Sequence, residues 1–265
     1  MRFWMRIGGV AIVVIAAAVF ISTNLRSIQG SSGNHKAMTA AAPNASAYHP
    51  PTLFSVISKQ HKLTFMAVGG STAQGYDDPK LDGYLKRALS SVSQTLKVPV
   101  TFVNKAKSGK IPSMLAPEFD PLVHQIKPNV VMISWGLLNS IAKKVPQSMF
   151  QRVIESEIKM SLRDGADVWV ITPPVTPATY VGHDVKVEPE FINLELAAVK
   201  AVNNPNVHFF NLNSAMKTYL QDHHLSYKPL ESNNWHMNGA GHELAGKILA
   251  NHILQNEKEL GLSSL

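Results

Sequence analysis

The chain has 265 residues, a formal net charge of +7, 45% hydrophobic and 16% charged residues, and no cysteine. This size suits one folded domain of roughly 200 residues once a non-globular start is set aside. The lack of cysteine excludes disulfides, thiolate metal sites and a cysteine nucleophile. Positions 1 to 60 hold five basic and no acidic residues, which leaves only +2 for the rest. No Lys/Arg cluster marks a nucleic-acid surface, so no nucleic-acid partner is expected.

Residues 7 to 23, IGGVAIVVIAAAVFIST, are almost continuously apolar, with Arg2 and Arg6 before them and Arg26 after. A helix of about 17 residues is just long enough to cross a bilayer. Residues 1–26 are therefore expected to form a membrane anchor, or a signal peptide if cleaved. No small-x-small cleavage site directly follows the apolar run, which favours the anchor. Arginines ahead of it place the tail in the cytoplasm and the domain outside. The expected location is the cell membrane, single-pass with an extracytoplasmic domain, or secretion after cleavage. Residues 27–60, rich in Ser, Gly, Ala, Asn and Pro, read as a flexible linker, and the folded domain is expected over 61–262.

Within that domain, short apolar runs alternate with helical patterns. Strands are expected at Leu63–Val68, Val98–Asn104, Val130–Trp135, Val168–Ile171 and Val207–Phe210. Helices are expected near Gly83–Thr95, Ser113–Gln125, Pro146–Leu162, Glu188–Val202, Ser214–Gln221 and Gly239–Gln255. Alternation of this kind implies an α/β fold, a three-layer α/β/α sandwich around a five-stranded parallel sheet. Three prolines in TPPVTPATYVGHD, residues 172 to 184, argue against regular structure there. Its place after the fourth strand marks it as a substrate-facing loop.

The first strand ends in GGSTAQG, which presents Ser71 at the C-terminal edge of the sheet, where open α/β sheets bind ligands. Taken alone, such a turn also suits phosphate cradling or an ordinary strand-to-helix loop. No Gly-Lys-Ser/Thr follows, against a P-loop. Ala73 stands where the second glycine of a Gly-x-Ser-x-Gly elbow would be. The second strand ends in NKAKSGK with Gly109, and the third in WGLLN with Asn139. Three consecutive strands that each end in glycine plus a polar residue point to one rim. Near the other end, His236 in NNWHMN precedes the last helix. A serine nucleophile needs such an imidazole as base and donors for the oxyanion. His242 lies six residues beyond His236, not at the i, i+4 spacing of a helical metal pair, so no metal site and no cofactor are expected.

These four blocks together resemble the SGNH hydrolases, the GDSL-like lipase and esterase family, over about residues 62 to 258. The resemblance implies a flavodoxin-like fold, with Ser71 as nucleophile and His236 as general base. It implies an oxyanion hole from the backbone N–H groups of Ser71 and Gly109 and the Asn139 side chain. The chain departs from the family pattern in three places. Gly70 replaces the usual aspartate before the nucleophile. Two residues, Leu137 and Leu138, separate Gly136 from Asn139, where the family has one. Asn233 stands where the family has the aspartate that orients the histidine. His236 could then be oriented by the Asn233 amide oxygen, by a backbone carbonyl, or by Glu231. If Asn233 occupies that orienting place, Asn233→Asp should raise turnover.

Together with the expected anchor, the resemblance implies a bacterial serine esterase or acyl hydrolase, acting outside the membrane on O-acetyl glycans or on lipid or small acyl esters. Two alternatives stay open: a binding or scaffold protein on the same fold, and a glycan O-acetyltransferase. Oligomeric state is not set by the sequence.

Overall fold

A computed structural model describes residues 62–80 and 82–259. The expected anchor and the linker to residue 60 lie outside them. Among the described residues, no helix is long and apolar enough to cross a membrane.

The first strand, β1 (Leu63–Gly69), is buried along nearly its whole length. It pairs in parallel with β2 (Val100–Asn104) on one side and β3 (Val130–Ser134) on the other. The sheet continues through β4 (Asp167–Ile171) and β5 (Val207–Phe210), all parallel, in the order β2-β1-β3-β4-β5. This is the flavodoxin-like order, whose ligand crevice opens beyond the strand ends beside β1 and β3.

Strand periodicity divides the core into two layers. Leu63, Phe65, Ala67, Val130, Met132, Trp169 and Ile171 face one side. They pack there against α2 (Gly83–Leu96), α8 (Leu212–Asp222) and α9 (Gly239–Glu259). Met66, Val68, Val131, Ile133, Val168 and Val170 face the other. Their partners are α3 (Pro112–Ile126), α5 (Gln147–Arg163) and α7 (Glu188–Val202). The expected sandwich, its five strands and its six main helices are thus present.

Several boundaries and small elements differ from expectation. β2 starts at Val100 rather than Val98, because Val98 closes the end of α2. Its N–H donates to the Ser93 carbonyl (3.2 Å) and its carbonyl accepts from Ser93 Oγ (2.7 Å). The 172–184 segment is not wholly irregular: α6 (Pro177–Tyr180) forms within it and a 3₁₀ turn (His183–Lys186) begins at its end. Pro177 sits in the first turn, where its missing N–H costs nothing, and Thr176 and Thr179 close a capping box over it. Two further short helices, α1 (Ser71–Gln74) and α4 (Leu137–Ala142), directly follow β1 and β3. A small antiparallel pair, β6 (Glu231–Asn233) and β7 (His236–Met237), precedes α9. Such short pieces carry no periodic signal.

Candidate active site

Ser71 is the first residue of α1 and stands at the C-terminal end of β1. His236 opens β7. Their sequence separation is 165 residues, yet Ser71 Oγ and His236 Nε2 lie 2.9 Å apart. The bond fixes roles by chemistry: if Ser71 Oγ–H donates to Nε2, the imidazole proton sits on Nδ1. Nδ1 faces Asn233 Oδ1 at 3.2 Å, and that oxygen also accepts from the backbone N–H groups of Trp235 (2.9 Å) and His236 (3.1 Å). Burial holds the His236 pKa below the ordinary imidazole value, partly opposed by the nearby Asp77 carboxylate. His236 is accordingly neutral, and able to take a proton, around neutral pH.

Asn233 does not act alone. Its Nδ2–H donates to Asp77 Oδ2 at 2.5 Å, and the same carboxylate oxygen lies 3.6 Å from His236 Nδ1. Glu231, the other carboxylate considered from the sequence, instead pairs with Lys228 (2.5 Å). Asp77 is the residue that sequence reasoning missed. It follows the serine block by a few residues, but no spacing rule links it to a histidine so far along the chain.

The other two strand-end loops close around Ser71. Asn104 Nδ2 donates to the Ala73 carbonyl (3.0 Å) and Asn104 Oδ1 accepts from Ala106 N–H (3.0 Å). Gln74 Oε1 accepts from both the N–H and the hydroxyl of Ser108 at 2.8 Å. These bonds pin the Lys105–Lys110 loop to α1. Gly109 within it is in the left-handed region (φ 72°), which favours glycine. Asn139 lies in the first turn of α4, and its Nδ2 donates to the Lys110 carbonyl at 3.4 Å, a long bond. The turn that carries it is anchored by the buried Trp135, whose indole N–H donates to Glu157 Oε2 (2.9 Å).

Ser71, Gly109, Asn139 and His236 line one pocket of about 260 Å³. Pro173, Pro174, Thr176 and Thr179 line its wall, so the segment after β4 does face the pocket as expected. Tyr76 and Trp235 stand at its edge with 46% and 45% of their surface exposed. Glu188 also lines the pocket, and burial pushes its carboxyl up to about 7.

His242 is fully buried and bridges two elements. Its Nδ1 accepts from Tyr84 N–H (3.2 Å) and its Nε2–H donates to the Tyr76 carbonyl (3.0 Å). Among the described residues, no group of three or more His, Asp or Glu side chains is placed to hold a metal ion.

The model of the GDSL-like lipase/acylhydrolase family matches residues 67–244, most of the described chain. The chain belongs to this family. No curated protein matches it in sequence. Among solved structures, it resembles LAE5, an α/β hydrolase enzyme from the metagenome of Lake Arreo, Spain, with a TM-score of 0.61 at 15% identity. That match covers 72% of this chain and 94% of the other. It also resembles Axe2, an acetylxylan esterase from Geobacillus stearothermophilus, with TM-score 0.59, 15% identity and the same coverages, 72% and 94%. TesA matches with TM-score 0.56 and 16% identity over 74% of this chain and 99% of that one. At such identities the likeness is one of fold. Family membership supports an acyl ester hydrolase.

Proposed function

We propose that this protein is a serine esterase that removes short acyl groups from hydroxyls of glycans. The observation that carries the reading is the 2.9 Å contact between Ser71 Oγ and His236 Nε2 at the wall of the pocket. Ser71 Oγ attacks the ester carbonyl while its proton passes to His236 Nε2. The carbonyl oxygen becomes an oxyanion held by the N–H groups of Ser71 and Gly109 and by the Asn139 amide. Collapse expels the alcohol, which takes the proton from His236 and leaves an acyl-serine. Water then attacks that ester with His236 again as base, which releases the acid and restores Ser71.

The pocket supports the substrate class. Its volume of about 260 Å³ leaves room beside Ser71 for a short acyl group and part of the alcohol joined to it. Tyr76 and Trp235 offer exposed aromatic faces at its edge, a surface on which sugar rings pack. Axe2, with the same fold, is an acetylxylan esterase. The apolar segment at residues 7 to 23 with its flanking arginines supports a membrane-anchored enzyme that works on envelope glycans.

Labelling by a fluorophosphonate probe tests the reading. The protein should react, Ser71→Ala should not, and p-nitrophenyl acetate should be cleaved faster than the octanoate. No labelling of the folded protein would favour the scaffold reading. Acyl transfer to an added sugar in preference to water would favour the transferase.

A further inference from the structure

We propose that Asp77 is the carboxylate of this site, a positioning residue that acts on His236 through the amide of Asn233. The proposal rests on the serine-esterase reading and deepens it. The family's aspartate, which would contact the histidine directly, is replaced here by a two-residue relay.

The geometry has three parts. The carboxylate accepts from Asn233 Nδ2 at 2.5 Å, and the other end of that amide, Oδ1, faces His236 Nδ1 at 3.2 Å. Asn233 cannot readily flip, because its Oδ1 is held by two backbone N–H groups, those of Trp235 and His236. A charge on Asp77 therefore polarises the amide in the sense that strengthens its oxygen as acceptor. The carboxylate also lies 3.6 Å from Nδ1 itself, so it acts on an imidazolium directly as well.

The turn that carries Asp77 is fixed on both sides. Asp77 has φ 63°, in the left-handed region, which aspartate and asparagine tolerate better than most other non-glycine residues. Before it, the Tyr76 carbonyl accepts from His242. After it, the buried Asp78 carboxylate takes the Gly83 N–H (3.0 Å) and the Arg87 guanidinium (3.0 Å). Arg87 is thus committed to Asp78 and to Glu243. Among the described residues, no lysine or arginine pairs with Asp77, so its charge is directed at His236.

During acyl transfer the proton from Ser71 rests on the imidazole until the departing alcohol takes it. Neither Asn233 nor Asp77 takes it, and the carboxylate stabilises the imidazolium that forms. The other titratable groups that face His236 are Tyr76, whose ring centroid is 4.6 Å from the imidazole, the buried His242 on α9, and Glu188 in the same pocket.

The relay makes a prediction of opposite sign from the family pattern. With Asp77 in place, Asn233→Asp would set two carboxylates within hydrogen-bond distance, and like charges so close hold a proton between them. Turnover should then fall or stay level. In Asp77→Asn, the same second substitution moves the single carboxylate to the family's usual position and should rescue.

The experiment measures kcat and KM for p-nitrophenyl acetate against pH in the full-length protein, in D77N, N233D and the double variant. Asparagine tolerates the left-handed backbone, and Asp77→Gly serves as a second carboxylate-free variant should D77N fold poorly. The expected results are a fall in kcat of about 10- to 100-fold in D77N, with KM little changed. N233D should show no gain over wild type, and the double variant should recover at least about tenfold over D77N. A separate readout, NMR titration of the His236 ring in a Ser71→Ala background, should show its pKa fall when Asp77→Asn is added. Wild-type kcat in D77N, no recovery in a folded double variant, or an unmoved His236 titration would each overturn the role of Asp77. A wild-type protein that cleaves no ester would instead defeat the esterase reading, and the NMR titration would still decide whether Asp77 acts on His236.

Discussion

Glu157→Gln should make the protein more resistant to unfolding as pH rises, a result opposite to what loss of a hydrogen-bonded side chain usually brings. Glu157 is fully buried on α5, with Oε2 accepting from Trp135 Nε1 and Oε1 without a hydrogen-bond partner. Burial pushes its carboxyl from the ordinary 4.5 up to about 8, with the Trp135 bond opposing. The folded protein therefore keeps a proton that the unfolded chain has already released, and stability drains away as pH rises from the unfolded value toward the folded one. At about 1.4 kcal/mol per unit, the loss between about pH 5 and about pH 8 amounts to roughly 4 kcal/mol. Water entry and local relaxation make that an upper bound. Glutamine keeps an oxygen for Trp135 and does not titrate, so the variant escapes this loss. Glu195, also fully buried, has its carboxyl raised chiefly by burial, a pH dependence that both proteins share. Urea unfolding at several pH values checks this. The stability of the variant relative to wild type should shift in its favour by about 1–3 kcal/mol over that range. A difference that stays constant with pH would refute the claim that Glu157 is held neutral in the folded state.

Further predictions concern the pocket. Gly70→Ala should lower kcat several-fold with little change in melting temperature. Its backbone is extended, so alanine is unstrained, but the added Cβ would stand 3.2 Å from Gly136 N and 3.5 Å from Asn139 Nδ2. Steady-state kinetics with p-nitrophenyl acetate reads the loss, and unchanged kcat would show that the added methyl does not displace the Asn139 amide. Asn139→Ala should reduce kcat by about 10²–10³ with KM nearly constant, as expected for a donor that strengthens only toward the oxyanion. Trp235→Ala should raise KM about 3- to 10-fold for an acetylated oligosaccharide, but not for p-nitrophenyl acetate. Equal effects on both substrates would count against a sugar platform.

Much of the fold was legible because its signals are local. Each central strand is a mostly apolar run, buried on both faces, and such runs do not depend on distant partners. The helix after Pro177 was missed because prolines look like breakers, whereas their effect depends on position in the turn. The β6–β7 pair is too short to show a period. At the site, Ser71, Gly109, Asn139 and His236 could be named from strand-end loops and family blocks, and the fold gathers all four around one pocket. The expectation of a gain from Asn233→Asp takes no account of Asp77, which the fold sets against the Asn233 amide and 3.6 Å from His236 Nδ1.

Residue pattern alone determined the parallel α/β layering and the rim to which three strands deliver their loops, since hydrophobic period and glycine placement act over a few residues. Only the tertiary structure decided which carboxylate lies beside His236 and which histidine ties two elements together. Asp77 meets Asn233 across 156 positions, and His242 meets Tyr76 across 166. The packing of α9 on α2 and the left-handed turn at Asp77 set those meetings, and neither leaves a mark in the local pattern.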